Sequence, residues 1–126
     1  MGKRGQRKMY QIIPTKQFQA DVEHYVKKRH FHHIGEDIQA ITNELQCGNL
    51  LGDEIPNLKI EADGHTYKVR AANTDAHAGK SNGYRIIYYV VKDDQEIYLL
   101  TIYYKKDGNR IPTNKEIVSL VAEYCL

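Results

Sequence analysis

Residues 65–104 read HTYKVRAANTDAHAGKSNGYRIIYYVVKDDQEIYLLTIYY, and the hydrophobic period of this stretch decides the fold. Its segments HTYKVRAA, GYRIIYYVV and EIYLLTIYY are β-branched or aromatic runs of strand character. KDDQ joins the last two as a tight hairpin connection, and TDAHAGKSNG is a longer loop between the first two. An antiparallel three-strand meander follows. Alternation along the first strand sends Lys68 and Arg70 to one face and Tyr67, Val69 and Ala71 to the other. The next strand, from Tyr84 to Val91, is apolar on both faces, so Arg85 belongs at its start, where it converges with Lys68 and Arg70.

Working outward, MYQII at 9–13 makes a short strand, Pro14 stops it, and Thr15 is an N-cap. Phe18, Val22, Tyr25 and Val26 recur at helical spacing up to Arg29. HFHHIGED breaks that helix. Ile38, Ile41 and Leu45 mark a second one that ends near Cys47-Gly48, where glycine suits a C-cap. The two helices are expected to form a hairpin. Residues 48–64 read as a loop, with NLKIEA as a strand piece before Asp63-Gly64. In PTNKEIVSLVAEY, Thr113 and Glu116 have capping-box spacing, and Ile117, Leu120, Val121 and Tyr124 line one face of a C-terminal helix. The order β-α-α-β-β-β-α predicts an α+β domain with an antiparallel sheet, its helices on one side.

With 126 residues, 41% hydrophobic and 27% charged, the chain is expected to be one globular domain, residues 9–126, preceded by a basic tail at 1–8. No apolar run approaches the roughly 20 residues of a membrane span, and the start lacks a signal-peptide core, so a cytoplasmic protein is expected. Cys47 and Cys125 match neither a disulfide framework nor a zinc spacing. The net charge of +2 is too small to imply a nucleic-acid partner, but its distribution is uneven. Lys3, Arg4, Arg7 and Lys8 stand without an acid, and Lys68, Arg70, Lys80 and Arg85 face only Asp75 between residues 65 and 90.

Gly79-Lys80-Ser81 imitates the end of a phosphate loop, but Thr74 stands where a glycine is required and a strand follows where a helix N-terminus is needed. A nucleoside-triphosphate site is therefore excluded. His24, His30, His32 and His33 fit helix-end capping better than any tetrahedral metal pattern, and no metal or other cofactor is expected. His65 and His77 flank the basic strand and loop as candidate general bases. Most of the ten tyrosines read as strand packing. Tyr103 and Tyr104, followed by Lys105 and Lys106, pair rings with cations in a way suited to unpaired RNA bases.

The stretch YKVRAANTDAHAGKSNGYRIIYYVVKDDQEIYLLTIYYKKDGN resembles the core of RelE/HigB toxins of bacterial toxin-antitoxin systems. It matches their basic K-x-R strand, a loop near GKSGG, a G-[YF]-R strand and a strand ending IY-x-K. The resemblance implies a metal-independent, ribosome-dependent endoribonuclease that cleaves mRNA and inhibits translation, with the ribosome, mRNA and a cognate antitoxin as partners and no membrane. It also implies catalytic roles for Lys68, Arg70, Lys80 and Arg85, and RNA contacts by Lys105 or Lys106. The sequence departs from the pattern in two places. Asn82 replaces a glycine, which left-handed asparagine would tolerate, and DGNRIPT lacks the catalytic tyrosine of RelE, so the general base stays open. The alternative is a ParE-like DNA gyrase inhibitor or a non-catalytic homologue that only binds its antitoxin.

Overall fold

In a computed structural model, residues 9–60 and 62–126 are described, and the expected tail at 1–8 lies outside them. Strand β1 (Gln11–Pro14) leads into helices α1 (Lys16–Arg29) and α2 (Ile34–Gln46). Strands β2 (Asp53–Glu54), β3 (His65–Ala71), β4 (Tyr84–Val91) and β5 (Glu96–Tyr104) follow, then helix α3 (Asn114–Cys125). The chain is thus an α+β fold in the expected order, its sheet running β1-β5-β4-β3-β2. Every pairing is antiparallel except the parallel one of β1 with β5.

Local signals place most of these elements. Thr15 caps α1 by accepting from the Phe18 N–H at 3.3 Å. His30 ends that helix in the left-handed region at φ 57°, its N–H reaching the Tyr25 carbonyl. Thr113 and Glu116 close the capping box of α3. Among the described residues of NLKIEA the expected strand piece does not form. Asn57 and Lys59 take φ of 64° and 53°, which breaks extended pairing, and Leu58 is folded into a core instead. The short edge strand is Asp53–Glu54.

The helices do not share one side of the sheet. Strand alternation gives the sheet two apolar faces, so each needs a cover. One face carries Val69, Ala71, Tyr84, Ile86, Tyr88, Ile102 and Tyr104 and is covered by Phe18, Tyr25, Ile34, Ile41 and Leu45 of α1 and α2. The other carries Ile87, Tyr89, Leu100 and Tyr103, and α3 covers it through Ile117 and Val121, with Leu58 filling the side. A register shift between Ile87 and Tyr88 bulges β5 opposite this point.

Strand β1 pairs with β5 only as far as Leu99, because Pro14 ends it. Past that point β5 has a bare edge, and α1 satisfies it with side chains. The Thr15 hydroxyl donates to the Leu99 carbonyl at 2.8 Å, and the Tyr25 hydroxyl accepts from the Tyr104 N–H at 2.8 Å. Between them Asp21, 3% exposed, accepts from the Thr101 hydroxyl, from the Ile102 N–H at 3.2 Å and from Arg110 at 3.0 Å. Burial pushes the Tyr25 phenol up to about 12, so it stays neutral.

Asp21→Ala leaves Arg110 without its carboxylate and the Ile102 N–H without an acceptor. A loss of about 3 kcal/mol is expected, since removing one partner of a buried pair is costlier than losing a surface contact. Urea unfolding should show it, with Lys27→Ala, which removes only an exposed pair with Glu23, staying within about 0.5 kcal/mol of the parent.

Candidate functional site

Arg70, Arg85 and Tyr103 are register partners across β3, β4 and β5, so their side chains form one row on the face that α3 only partly covers. Lys68 lies two residues before Arg70 on the same face. With Lys80 from the loop and Lys105 after β5, these residues line a cleft of about 780 Å³, whose rim includes Leu51, Gly52 and Ile111. Asp53 is the one acid in its lining. The ion pairs among the described residues lie elsewhere, at Lys27–Glu23, Arg29–Asp107, His33–Asp75, His65–Glu54 and Arg110–Asp21. None of the cleft cations is in an ion pair among the described residues, and with five cations against Asp53 the lining carries a positive excess.

Arg85 differs from its neighbours. It is only 8% exposed, and its guanidinium donates to the carbonyls of Lys80 at 3.1 Å, Ser81 at 3.0 Å and Tyr84 at 3.2 Å. Burial and the neighbouring Arg70 charge hold its pKa below the usual arginine value. Lys105 reinforces the same turn, its Nζ reaching the Ser81 carbonyl at 3.1 Å and its N–H the Gly83 carbonyl at 2.9 Å. The turn Lys80–Asn82 is a single 3-10 turn, and Asn82 does not use the left-handed conformation. Gly83 is needed for close approach, because a Cβ there would meet the Ala71 carbonyl oxygen at 2.1 Å. The structure thus makes Arg85 an organiser of the loop that presents Lys80. The sequence placed Arg85 beside Lys68 and Arg70, and the structure adds these loop contacts to that placement.

The root of this loop is held separately. Asp37, buried near the start of α2, accepts from the Thr74 N–H at 2.9 Å and its hydroxyl at 2.6 Å. Asp75 accepts from the His33 N–H at 2.8 Å and pairs with the His33 ring at 2.7 Å.

The candidate residues separate cleanly. Lys68, Arg70, Lys80, Arg85, Tyr103 and Lys105 come together. Tyr104 does not: it lies on the opposite face, packed against Phe31 at 5.6 Å beneath the Arg29 guanidinium. Lys106 is exposed outside the cleft. Tyr103 is in the cleft but only 4% exposed, so it offers an edge and not a stacking surface. Burial raises its phenol pKa against the opposing pull of Arg85. Among the candidate bases, His65 pairs with Glu54 at 2.8 Å and His77 stands in the loop at φ 54°; neither lines the cleft. Sequence reasoning missed Ile111, an apolar side chain 47% exposed at the rim; its only signal was an isoleucine in an otherwise polar Gly-Asn-Arg-Pro segment. No protein-family model matches the chain.

Two outcomes follow from this arrangement. Arg85→Ala is expected to lower stability by about 1–3 kcal/mol and to speed amide exchange across Lys80–Asn82, because three carbonyls lose a charged donor. Arg70→Ala, on an exposed strand face, should leave the melting curve nearly unchanged.

The loop root should also respond to pH. His33 binds a proton more tightly than its ordinary value of 6.5, through its hydrogen bond to Asp75. Burial opposes ionisation of Asp75, but the His33 bonds outweigh it and hold its pKa below 3.8. The His33 contribution is complete below about pH 6.5 and fades as pH rises through its folded value; that of Asp75 is complete above about 3.8 and is lost on acidification. In an NMR titration, Asp75→Asn should return the His33 midpoint toward 6.5.

Proposed function

We propose that this chain is a toxin of the RelE/HigB kind, a ribosome-dependent endoribonuclease that cleaves mRNA and is held inactive by a cognate antitoxin. The observation that carries the reading is the cleft of Lys68, Arg70, Lys80, Arg85 and Lys105 with only Asp53 in its lining. Such a cleft suits a polyanion, and a phosphate there is within a lining that draws donors from β3, β4, the Lys80 turn and the segment just after β5.

In this reading the 2′-hydroxyl passes its proton to solvent water as its oxygen bonds to the neighbouring phosphorus, closing a 2′,3′-cyclic phosphate. The bond to the 5′-oxygen breaks, and that oxygen takes up a proton as it leaves. Arg70 and Lys68 stabilise the charge that grows on the phosphoryl oxygens, being exposed and reachable. Lys80 stands at the loop tip where a leaving oxygen can receive a proton. Arg85 positions Lys80 through the loop carbonyls and adds its charge from beneath. Tyr103, neutral and beside Arg85, supplies a phenol at the cleft floor. The antitoxin would cover the basic cleft, or displace α3 from the apolar stripe of Ile117 and Val121.

The test is induction of the chain in growing cells with primer extension on a translated message, beside a DNA supercoiling assay. Message cleavage that falls at least a hundredfold in Arg70→Ala, without loss of folding, is the expected result; removal of one preorganised charge donor is worth about 3 kcal/mol in the transition state. Growth arrest with intact message and altered supercoiling would replace this reading with gyrase inhibition.

A further inference from the structure

A second cleft, of about 490 Å³, adjoins the basic one, and Ile111 lies on the rim of both. Strand β5 runs through the two: Thr101 lines the second cleft, and Tyr103 lines the first. Two strand residues span about 7 Å. The chemistry changes over that distance. At the floor of the second cleft the buried Asp21 carboxylate is paired with Arg110 at 3.0 Å, and Glu116 and Lys115 both line the cleft. Its charges therefore balance, and it lacks the positive excess that draws a phosphate into the first. Apolar surface comes from Ile111, Pro112 and Leu120, and exposed Asn109 and Ser119 offer both donors and acceptors. Its volume falls in the range of about 300–1,000 Å³ usual for small-ligand clefts, which combine apolar walls with a few polar groups.

We infer that this second cleft receives the base of the nucleotide whose phosphate lies in the basic cleft. The inference rests on the reading of the chain as an RNA-cleaving toxin and adds to it a base-recognition site between α1, α3 and the segment Asn109–Pro112. A planar base slides between Ile111 and Leu120, with its edge toward Asn109 and Ser119. The phosphate stays among Lys68, Arg70 and Lys80, held by a positive excess that the charge-balanced second cleft lacks. One strand thus sorts the neutral and charged halves of a nucleotide.

The experiment is amide chemical-shift mapping on the full chain, titrated separately with the four ribonucleosides, with their 5′-monophosphates and with inorganic phosphate. Nucleosides should move Asn109, Ile111 and Ser119; inorganic phosphate should move Lys68, Arg70 and Lys80; monophosphates should move both sets. Ser119→Phe, an exposed helix position whose new ring fills the cleft, should weaken monophosphate binding at least tenfold and leave inorganic phosphate unaffected. Nucleosides that leave Asn109 and Ser119 unmoved, or wild-type monophosphate affinity in Ser119→Phe, would overturn the inference. Mapping of cut sites on translated message separates this from the toxin reading. If shifts appear as expected but no message is cut, the toxin reading falls and the nucleotide site stands. If message is cut with the same base profile in Ser119→Phe, the base site falls and the toxin reading stands.

Discussion

The exposed edge of β5 beyond Leu99 is the constraint to which the rest of the molecule answers. A bulged strand whose neighbour stops at a proline presents backbone groups that must find partners, and α1 provides them from Thr15, Asp21 and Tyr25. These residues fix the height and rotation of α1 on the sheet. Asp21 reaches further, because its bond to Arg110 draws down the segment after β5, and that segment forms the wall between the two clefts. A buried acid on one face of the sheet therefore helps set the shape of the candidate site on the other.

That surface is built against its own electrostatics. Arg70 and Arg85 are direct neighbours across β3 and β4, and Arg85 is buried among carbonyl oxygens instead of carboxylates. Carbonyl dipoles stabilise a guanidinium without neutralising it, so the charge persists as a field in the cleft. Proteins commonly accept such local conflict where binding or catalysis needs it.

Much of this was legible in the sequence. Period-two patterning located β3, β4 and β5, and the capping residues Thr15 and Thr113 located α1 and α3. Alternation sent Lys68 and Arg70 to the face opposite Val69 and brought Arg85 beside them. Other features depended on long-range geometry. The pairing of β1 with β5, and the placing of α3 across the sheet from α1 and α2, are decided by which apolar surfaces remain uncovered once the meander forms, which no local pattern encodes. Tyr103 and Tyr104 look equivalent as neighbours in sequence, yet alternation puts one in the cleft and the other under Arg29. The burial of Arg85 was hidden because the turn that wraps it carries only backbone acceptors, and these leave no trace in side-chain composition.

The flanks of the sheet bear on how the chain behaves at high concentration. Its outer strands are β1, whose four residues end in Pro14, and β2, which has two. Beside β1, the Tyr10 N–H is already taken by the Gln46 carbonyl at the end of α2. Another copy attempting to extend the sheet finds too little continuous unpaired backbone on either side to template a new strand, and a proline interrupts the longer side. Among the described residues, the outermost strands of this sheet rich in tyrosine and isoleucine are therefore poor templates for edge-to-edge joining.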